Sequence, residues 1–466
     1  KEDIVASISY LIGLQNGIGK VDDIDHLSNR RVRGIGELVT TNAFRIGMLR
    51  LDRSIREKMS LTKTDEKLTP ASLVNARPLI ATISEFFRRN RLSTILDQTN
   101  PLSEIDNLRR LSVMGSGGVT RERASFSMRD INASQYSRIC PVRSPEGQNI
   151  GLVTYLALYT RINDHGFLEA PFHPIEKVKI GKKEVMKVSD KVVYLAADDE
   201  EDRYITHTGI EIDADGIIKE EWVPLRYKND YVEGSAELAQ YIDIVPRQVV
   251  GTSASLIPFI SHDEATRALM GTHMQCQAVP LLRPSAPTVG TGMEREVAKA
   301  MNHVIYAEVP GVVSALDADR IVLTITQKDA EKMRSLVERH EYLKLDGTTL
   351  TYKVSKFFRS AQSTCYTQRP VVNLGDKVKA GDLLIDGPAA ENGELALGQD
   401  LLIAYSSFDG LGYEDAIIIS ERLVREDVLT SIHINEYEAL IMDTKLGPEE
   451  LTSDIPHVSE VELRHL

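Results

Sequence analysis

Helical periodicity in this chain stops near Asn100, and the rest cannot continue as a helix bundle. Before that point apolar residues recur at helical spacing. Ile4, Ile8 and Leu11 form one set, and Ile35, Leu38, Ile46, Leu49 and Ile55 support a long second helix after a break at 17–25. Thr69-Pro70 fits the cap and first position of a third helix, and Pro78 opens a fourth. Asn100-Pro101 reads as a turn. From 101 to 157, glycine and arginine alternate with short apolar runs, as in Met114-Gly115-Ser116-Gly117-Gly118, which predicts a loop-rich surface held by small strands. Residues 167–250 alternate short strands with acidic turns and read as a compact insert. One helix is expected at 262–277, and short strands dominate from 286. The fold class is therefore α+β in several domains. Lys1 opens directly into a helical pattern and 458–466 forms another, so the chain reads as an internal piece of something longer.

Composition narrows the function classes. At 42% hydrophobic and 26% charged residues the chain is neither collagen-like nor disordered. No apolar run approaches the roughly 18 residues of a membrane span, and no leader pattern opens the chain. Cys140, Cys276 and Cys365 stand far apart, which disfavours both a disulfide framework and a cysteine zinc site. A cytoplasmic location is the default. The net charge of −13 argues against a protein that coats nucleic acid. The charge is uneven, however. Residues 101–150 carry seven arginines, five acids and no lysine, whereas 198–237 carry 13 acids against four bases.

Four groups of residues can carry chemistry. Glu414-Asp415 follows Gly410 and Gly412 and precedes an expected strand at 417–419; adjacent carboxylates can reach Mg²⁺ directly or through water, or simply form a solvated acidic turn. On the helix at 262–277, Arg267, Met270, Met274 and Gln277 share one broad side. Arg267 there can clamp a triphosphate, and Gln277 can bond a sugar or base edge; an ordinary amphipathic helix is the alternative. Arg109, Arg110, Arg121 and Arg123 can contact phosphates beside the glycines of 115–118, or can tie to Asp97, Glu104 and Asp130 as a structural network. The Gly-Asp rhythm at 375–376 and 381–382 occurs in carrier folds, but without a Met-Lys dipeptide it reads as structural turns.

Taken in order, these strings resemble one family. Residues 92–104 (LSTILDQTNPLSE) and 140–152 (CPVRSPEGQNIGL) resemble the rifamycin-pocket region of bacterial RNA polymerase β subunits. RALMG at 267–271, QAVP at 277–280, VGTGME at 289–294, GELALGQ at 393–399 and DTKLGPEE at 443–450 are similar to the same family in one register. The resemblance implies the end of the lobe and protrusion at 1–90, and the rifamycin pocket and fork region at 91–160. It implies an external insert at 161–250, and hybrid-binding and partial double-psi barrel parts at 251–466. It implies template-directed nucleotidyl transfer from NTPs at two Mg²⁺ ions, with the primary ligands on a β′ partner and no zinc in this chain. The further partners implied are α subunits, a σ factor, DNA template and nascent RNA, with no membrane; a nucleoid-associated or organellar setting is compatible.

Residue by residue, Glu414 and Asp415 match carboxylates acting on the second metal, and Arg267 matches the residue facing the incoming triphosphate. Gln98, Arg110, Arg121, Glu146, Asn149 and Gln277 match positions along RNA or the hybrid. Thr94, Ile95, Asp97, Asn107, Arg110, Ser112, Pro145 and Val153 match the antibiotic pocket. The chain also departs from the family pattern. Thr94 stands for Gln, Asn107 for His and Leu108 for a polar residue, which implies weak rifamycin binding. Cys276 stands for Arg, His273 for Asn and Gly412 for Asn. A non-catalytic scaffold is the alternative reading, and retention of Arg267, Glu414 and Asp415 speaks against it.

Overall fold

The computed structural model describes residues 1–466 apart from 20, 62–68, 181–182, 229, 460 and 466. The N-terminal part is helical: α1 (Glu2–Gln15), α2 (Ile35–Val39), α3 (Arg45–Leu61), α4 (Pro70–Leu73) and α5 (Arg77–Arg89). Thr69 caps α4 through the Ser72 amide at 3.4 Å. A π turn, Thr40–Phe44, joins α2 to α3, so the expected long helix forms with one wide turn inside it. Its burial differs from the periodicity reading. Ile35, Ile46 and Leu49 are exposed, while Ala43 and Gly47 are buried. Small residues let the helices approach closely here. A Cβ on Gly47 would lie 3.2 Å from the Leu79 Cα and against the Thr82 hydroxyl of α5.

Asn100-Pro101 does not make a turn. It starts a helix, α6 (Pro101–Leu108), with Asn100 as its cap. Beyond it the backbone runs through short 3-10 turns and a two-stranded ladder pairing Arg110–Ser112 with Val153–Tyr155. The insert is an eight-stranded sheet, mostly antiparallel, with one parallel pair between Ile205–Thr206 and Tyr241–Asp243. It also holds a short helix, α7 (Ala197–Glu201). Phe172, Leu195, Ile205, Val223, Leu225 and Ile242 fill its interior.

Charge pins the insert to the region before it. The Arg138 side chain has no exposed surface and lies 2.6 Å from Glu200, which also pairs with Arg226. Arg138 also donates to the carbonyls of Leu168 and Leu195, at 3.1 and 2.8 Å. The Tyr136 hydroxyl donates to Asp243 at 2.7 Å, and the Arg226 guanidinium stacks over the Tyr136 ring at 4.2 Å. Burial, with the neighbouring Asp243 charge, pushes the Tyr136 phenol far above its ordinary range.

The second half contains α8 (Ala265–Gln277), α9 (Glu294–Ala300) and α10 (Gln327–Val337). The last two were not expected from the sequence. Thr326 caps α10 by accepting from the Asp329 amide at 3.3 Å. A five-stranded antiparallel sheet spanning 311–378 packs Ile321, Leu323, Leu350 and Tyr352 against Met333 of α10. The Gly-Asp pairs are structural turns, as read: Asp376 accepts from the Asn373 amide and Asp382 from the Lys379 amide, each at 2.7 Å, with Gly375 and Gly381 at φ +87° and +91°.

After residue 400 the chain is largely exposed; Leu402, Tyr405, Tyr437 and Leu446 are each at least 90% accessible. One short helix, α11 (Glu421–Arg425), interrupts it. The expected strand at 417–419 is absent, because no neighbouring strand among the described residues offers it a ladder. The helical pattern at 458–466 is reduced, among its described residues, to a 3-10 turn, Leu463–His465.

Candidate nucleic-acid interface

Asn100 organises the centre of this region, and it is wholly buried. Its Oδ1 accepts from the Ser103 amide at 2.8 Å and so caps α6. Its Nδ2 donates to the carbonyls of Gln275, Cys276 and Ala278, at 2.9, 3.2 and 2.7 Å. These carbonyls lie at the C-terminal end of α8, where intrahelical partners run out; that of Gln275 also accepts from the Ala278 amide at 3.4 Å. One amide therefore starts one helix and finishes another. The signal was present in the sequence, since Asn is a favoured helix cap and Pro a favoured first helical residue.

A buried ion pair fastens the same junction. Asp106 of α6 accepts from Arg143 Nε at 2.8 Å. Cys276 of α8 places its sulfur 3.6 Å from both the Asp106 carboxylate and Arg143 Nη2. Arg143 also stacks over Tyr155 at 4.7 Å. Burial pushes the Cys276 thiol up to about 12, with the Asp106 charge adding to the effect. The position where the resemblance has Arg thus carries a neutral thiol, and a guanidinium reaches the same place from residue 143.

The anticipated arginine network is different in composition. Asp97 bonds to Thr99 and Ser103 rather than to arginine, because its carboxylate closes the turn leading into α6. Glu104 faces His303 at 3.8 Å. Arg109 is half-buried and spends its Nη2 on the carbonyls of Ala157 and Leu158, at 2.5 and 3.3 Å, and burial lowers its pKa. Arg129 likewise donates to the carbonyls of Gln148 and Ile150, at 2.7 and 2.8 Å. Arg110, Arg121 and Arg123 remain exposed.

The other named residues fall into three groups. On α8, Arg267, Met274 and Gln277 of the expected face are exposed and Met270 is half-buried, while Ala268, Thr272 and Cys276 are buried on the other side. Arg267 Nη1 lies 3.3 Å from the Met270 sulfur. Glu146 reaches His273 of the same helix at 3.2 Å. Thr94, Ile95 and Ser112 are exposed, and Asn107 and Pro145 are half-buried. Asn149 holds a buried side-chain oxygen with no hydrogen-bond partner.

Two residues are committed to the fold. Val153 has no exposed surface. The Gln98 side-chain oxygen accepts from the Ala361 amide at 3.2 Å, and the Gln98 backbone N–H donates to the Gln362 side-chain oxygen at 2.6 Å. Thr364 adds bonds to the carbonyls of Gln98 and Thr99, at 3.2 and 3.1 Å. This seam between 96–99 and 361–364 was invisible in the sequence, because its halves lie more than 260 residues apart.

Glu414 and Asp415 are exposed in a short turn after Gly410. Both sit in the left-handed region, at φ +54° and +62°, a strained backbone for residues other than glycine. Their side chains make no hydrogen bond among the described residues. Among those residues, no group of three or more His, Cys, Asp or Glu side chains has the arrangement of a metal site. No described helix is long and apolar enough to cross a membrane.

Comparison with known proteins gives four family matches. RNA polymerase Rpb2, domain 2, matches 1–33, and domain 3 matches 94–162. The RNA polymerase beta subunit external 1 domain matches 176–245, and Rpb2, domain 6, matches 306–466. The DNA-directed RNA polymerase subunit beta of Thermosynechococcus vestitus is 48% identical over 465 residues, covering 100% of this chain and 40% of that protein. Those of Acetivibrio thermocellus and Sorangium cellulosum are 47% and 46% identical, again along 100% of this chain, with 35% and 32% of their own lengths covered. The chain thus spans between about a third and two fifths of the length of these relatives. With 46–48% overall identity in matches that run the whole length of the chain, and with family models that match the insert and the region after 400, the chain belongs to the family of bacterial RNA polymerase β subunits.

Proposed function

We propose that this chain forms part of the catalytic channel of a DNA-directed RNA polymerase, active in template-directed nucleotidyl transfer only within the assembled enzyme. The observation that carries this reading is the lock between α6 and α8. Asn100 and the Asp106–Arg143 pair fasten α8 to α6, whose C-terminal end runs directly into the exposed Arg110, and leave the opposite face of α8 open. A rigid, partly basic surface suits the backbone of an RNA–DNA hybrid, since phosphate contacts position the nucleic acid without reading its sequence. Arg267 would meet the triphosphate of the incoming nucleotide through paired N–H donors. Gln277, Glu146, Asn149 and Arg121 would line the RNA; Gln98 would act by holding the wall behind it.

Glu414 and Asp415 suit an outer-sphere role toward Mg²⁺. They are exposed, adjacent and unengaged, but two carboxylates from one turn do not make a complete cation site. The cation, when bound, would stabilise charge on the transferring phosphoryl group. A β′ subunit would hold it, with α subunits, a σ factor, DNA, RNA and NTPs completing the assembly. In this reading residues 1–90 finish the lobe and protrusion, 91–160 form the fork and antibiotic-pocket wall, and 251–466 contribute to hybrid binding and a double-psi barrel.

The test is Asp415→Ala in an assembled polymerase carrying this segment. Loss of an oriented group acting through water should slow nucleotide addition by roughly 10- to 100-fold, with DNA binding retained. Unchanged elongation would favour a scaffold role instead.

A further inference from the structure

The insert ends in a strand with a free edge. Asp230–Ser235 is the last strand of the eight-stranded sheet and pairs on one side only, with Trp222–Tyr227. Residues 230–233 are all exposed. In the pairing register Trp222 faces Ser235, Pro224 faces Glu233 and Arg226 faces Tyr231, so Trp222, Glu233 and Tyr231 share one side of the hairpin. Trp222 and Tyr231 are 68% and 75% accessible, and Trp222 is the single tryptophan of the chain.

The surroundings are strongly acidic. Of the 13 acids in 198–237 only Glu200 is buried. The four bases are already engaged: Arg226 with Glu200, Lys219 with Asp213, Lys228 with Asp202, and Arg203 with the Asp199 carbonyl and the Tyr241 hydroxyl. Glu221, Asp230 and Glu233 have no cationic partner among the described residues. Acidic side chains alone would be ordinary protection for an edge strand. They do not account for two large aromatics held open to solvent beside it.

We propose that this edge is a docking site for an extended, lysine- or arginine-rich segment of a partner protein. The segment would add as a further strand along 230–235. Backbone hydrogen bonds would supply affinity, and the carboxylates and the faces of Trp222 and Tyr231 would select cationic side chains. The same charge repels nucleic acid and anionic membranes, which leaves a basic polypeptide as the occupant.

The test uses the full chain and a ten-residue peptide of alternating lysine and valine, with an alternating glutamate and valine peptide as control. Emission from Trp222 should shift to shorter wavelength on titration with the lysine peptide, and the amides of 230–235 should become protected from hydrogen exchange. The control peptide should do neither. The surface double variant D230K/E233K, checked by circular dichroism for an intact fold, should bind the lysine peptide at least tenfold more weakly. Absence of the emission shift, protection confined to another strand, or equal affinity of the double variant would each overturn the proposal.

Discussion

A single amide carries an unusual share of the candidate site. Replacing Asn100 with Ala removes the cap of α6 and the donor serving three carbonyls of α8. The cap is worth about 0.5–2 kcal/mol, and buried carbonyls without a partner cost about 1–3 kcal/mol more. Asn100→Asp separates the two roles. It keeps an acceptor for Ser103 but sets a carboxylate against the negative end of α8. Hydrogen exchange should therefore quicken in both helices for the Ala variant and chiefly at the C-terminal turn of α8 for the Asp variant. Cys276 makes a different prediction. Its thiol is raised from 9.0 to about 12, so it stays protonated and should resist alkylation at neutral pH while the chain is folded. Its contribution to stability is complete below the ordinary thiol range and is lost as pH rises from about 9 toward 12, since only the unfolded chain then ionises freely. An alkaline unfolding series of Cys276→Ala should lack that part of the decline. Exposed candidates such as Arg267 and Gln277 were legible from spacing alone. The buried Asp106–Arg143–Cys276 contact was not, because three distant segments create it.

At the scale of elements, the cap signal at Thr69-Pro70 announced even a helix of a single turn. Helix α10 carried a comparable signal, Thr326 followed by Asp329, but lay within a stretch dominated by strands. The strand expected at 417–419 shows the reverse limit. A run of isoleucines states β-propensity, but a strand exists only where a neighbour completes its ladder. The π turn at 40–44 gave no signal either, since apolar spacing on both sides is compatible with an unbroken helix. The insert was recognised as compact and acidic, yet its attachment depends on a buried charge that composition does not reveal. Glu200→Gln should leave Arg138 without a counter-charge in a position that has no exposed surface. Breaking a buried pair in this way costs about 3–5 kcal/mol. Limited proteolysis should then cut first near 160–168 and 243–250, where the insert joins the rest, while the sheet spanning 311–378 keeps its protection.

For the molecule as a whole, charge and apolar surface are distributed against each other. Residues 101–150 carry seven arginines against five acids and 198–237 carry 13 acids against four bases, so the net value of −13 describes neither region. The class of fold and the family resemblance were readable because they depend on patterns along the chain. Packing between distant segments was not. The exposed stretch after residue 400 has a colloidal consequence. Its tyrosines, leucines and isoleucines form a short-range adhesive surface, while the surplus of carboxylates supplies a long-range repulsion between molecules. Added salt shortens only the second of these, with the screening length falling from about 30 Å at 0.01 M to about 3 Å at 1 M. Light scattering from the isolated chain should accordingly report monodisperse particles in dilute buffer and growing clusters as sodium chloride is raised. The chain would behave as a patchy colloid whose solubility is set by the ionic strength around it.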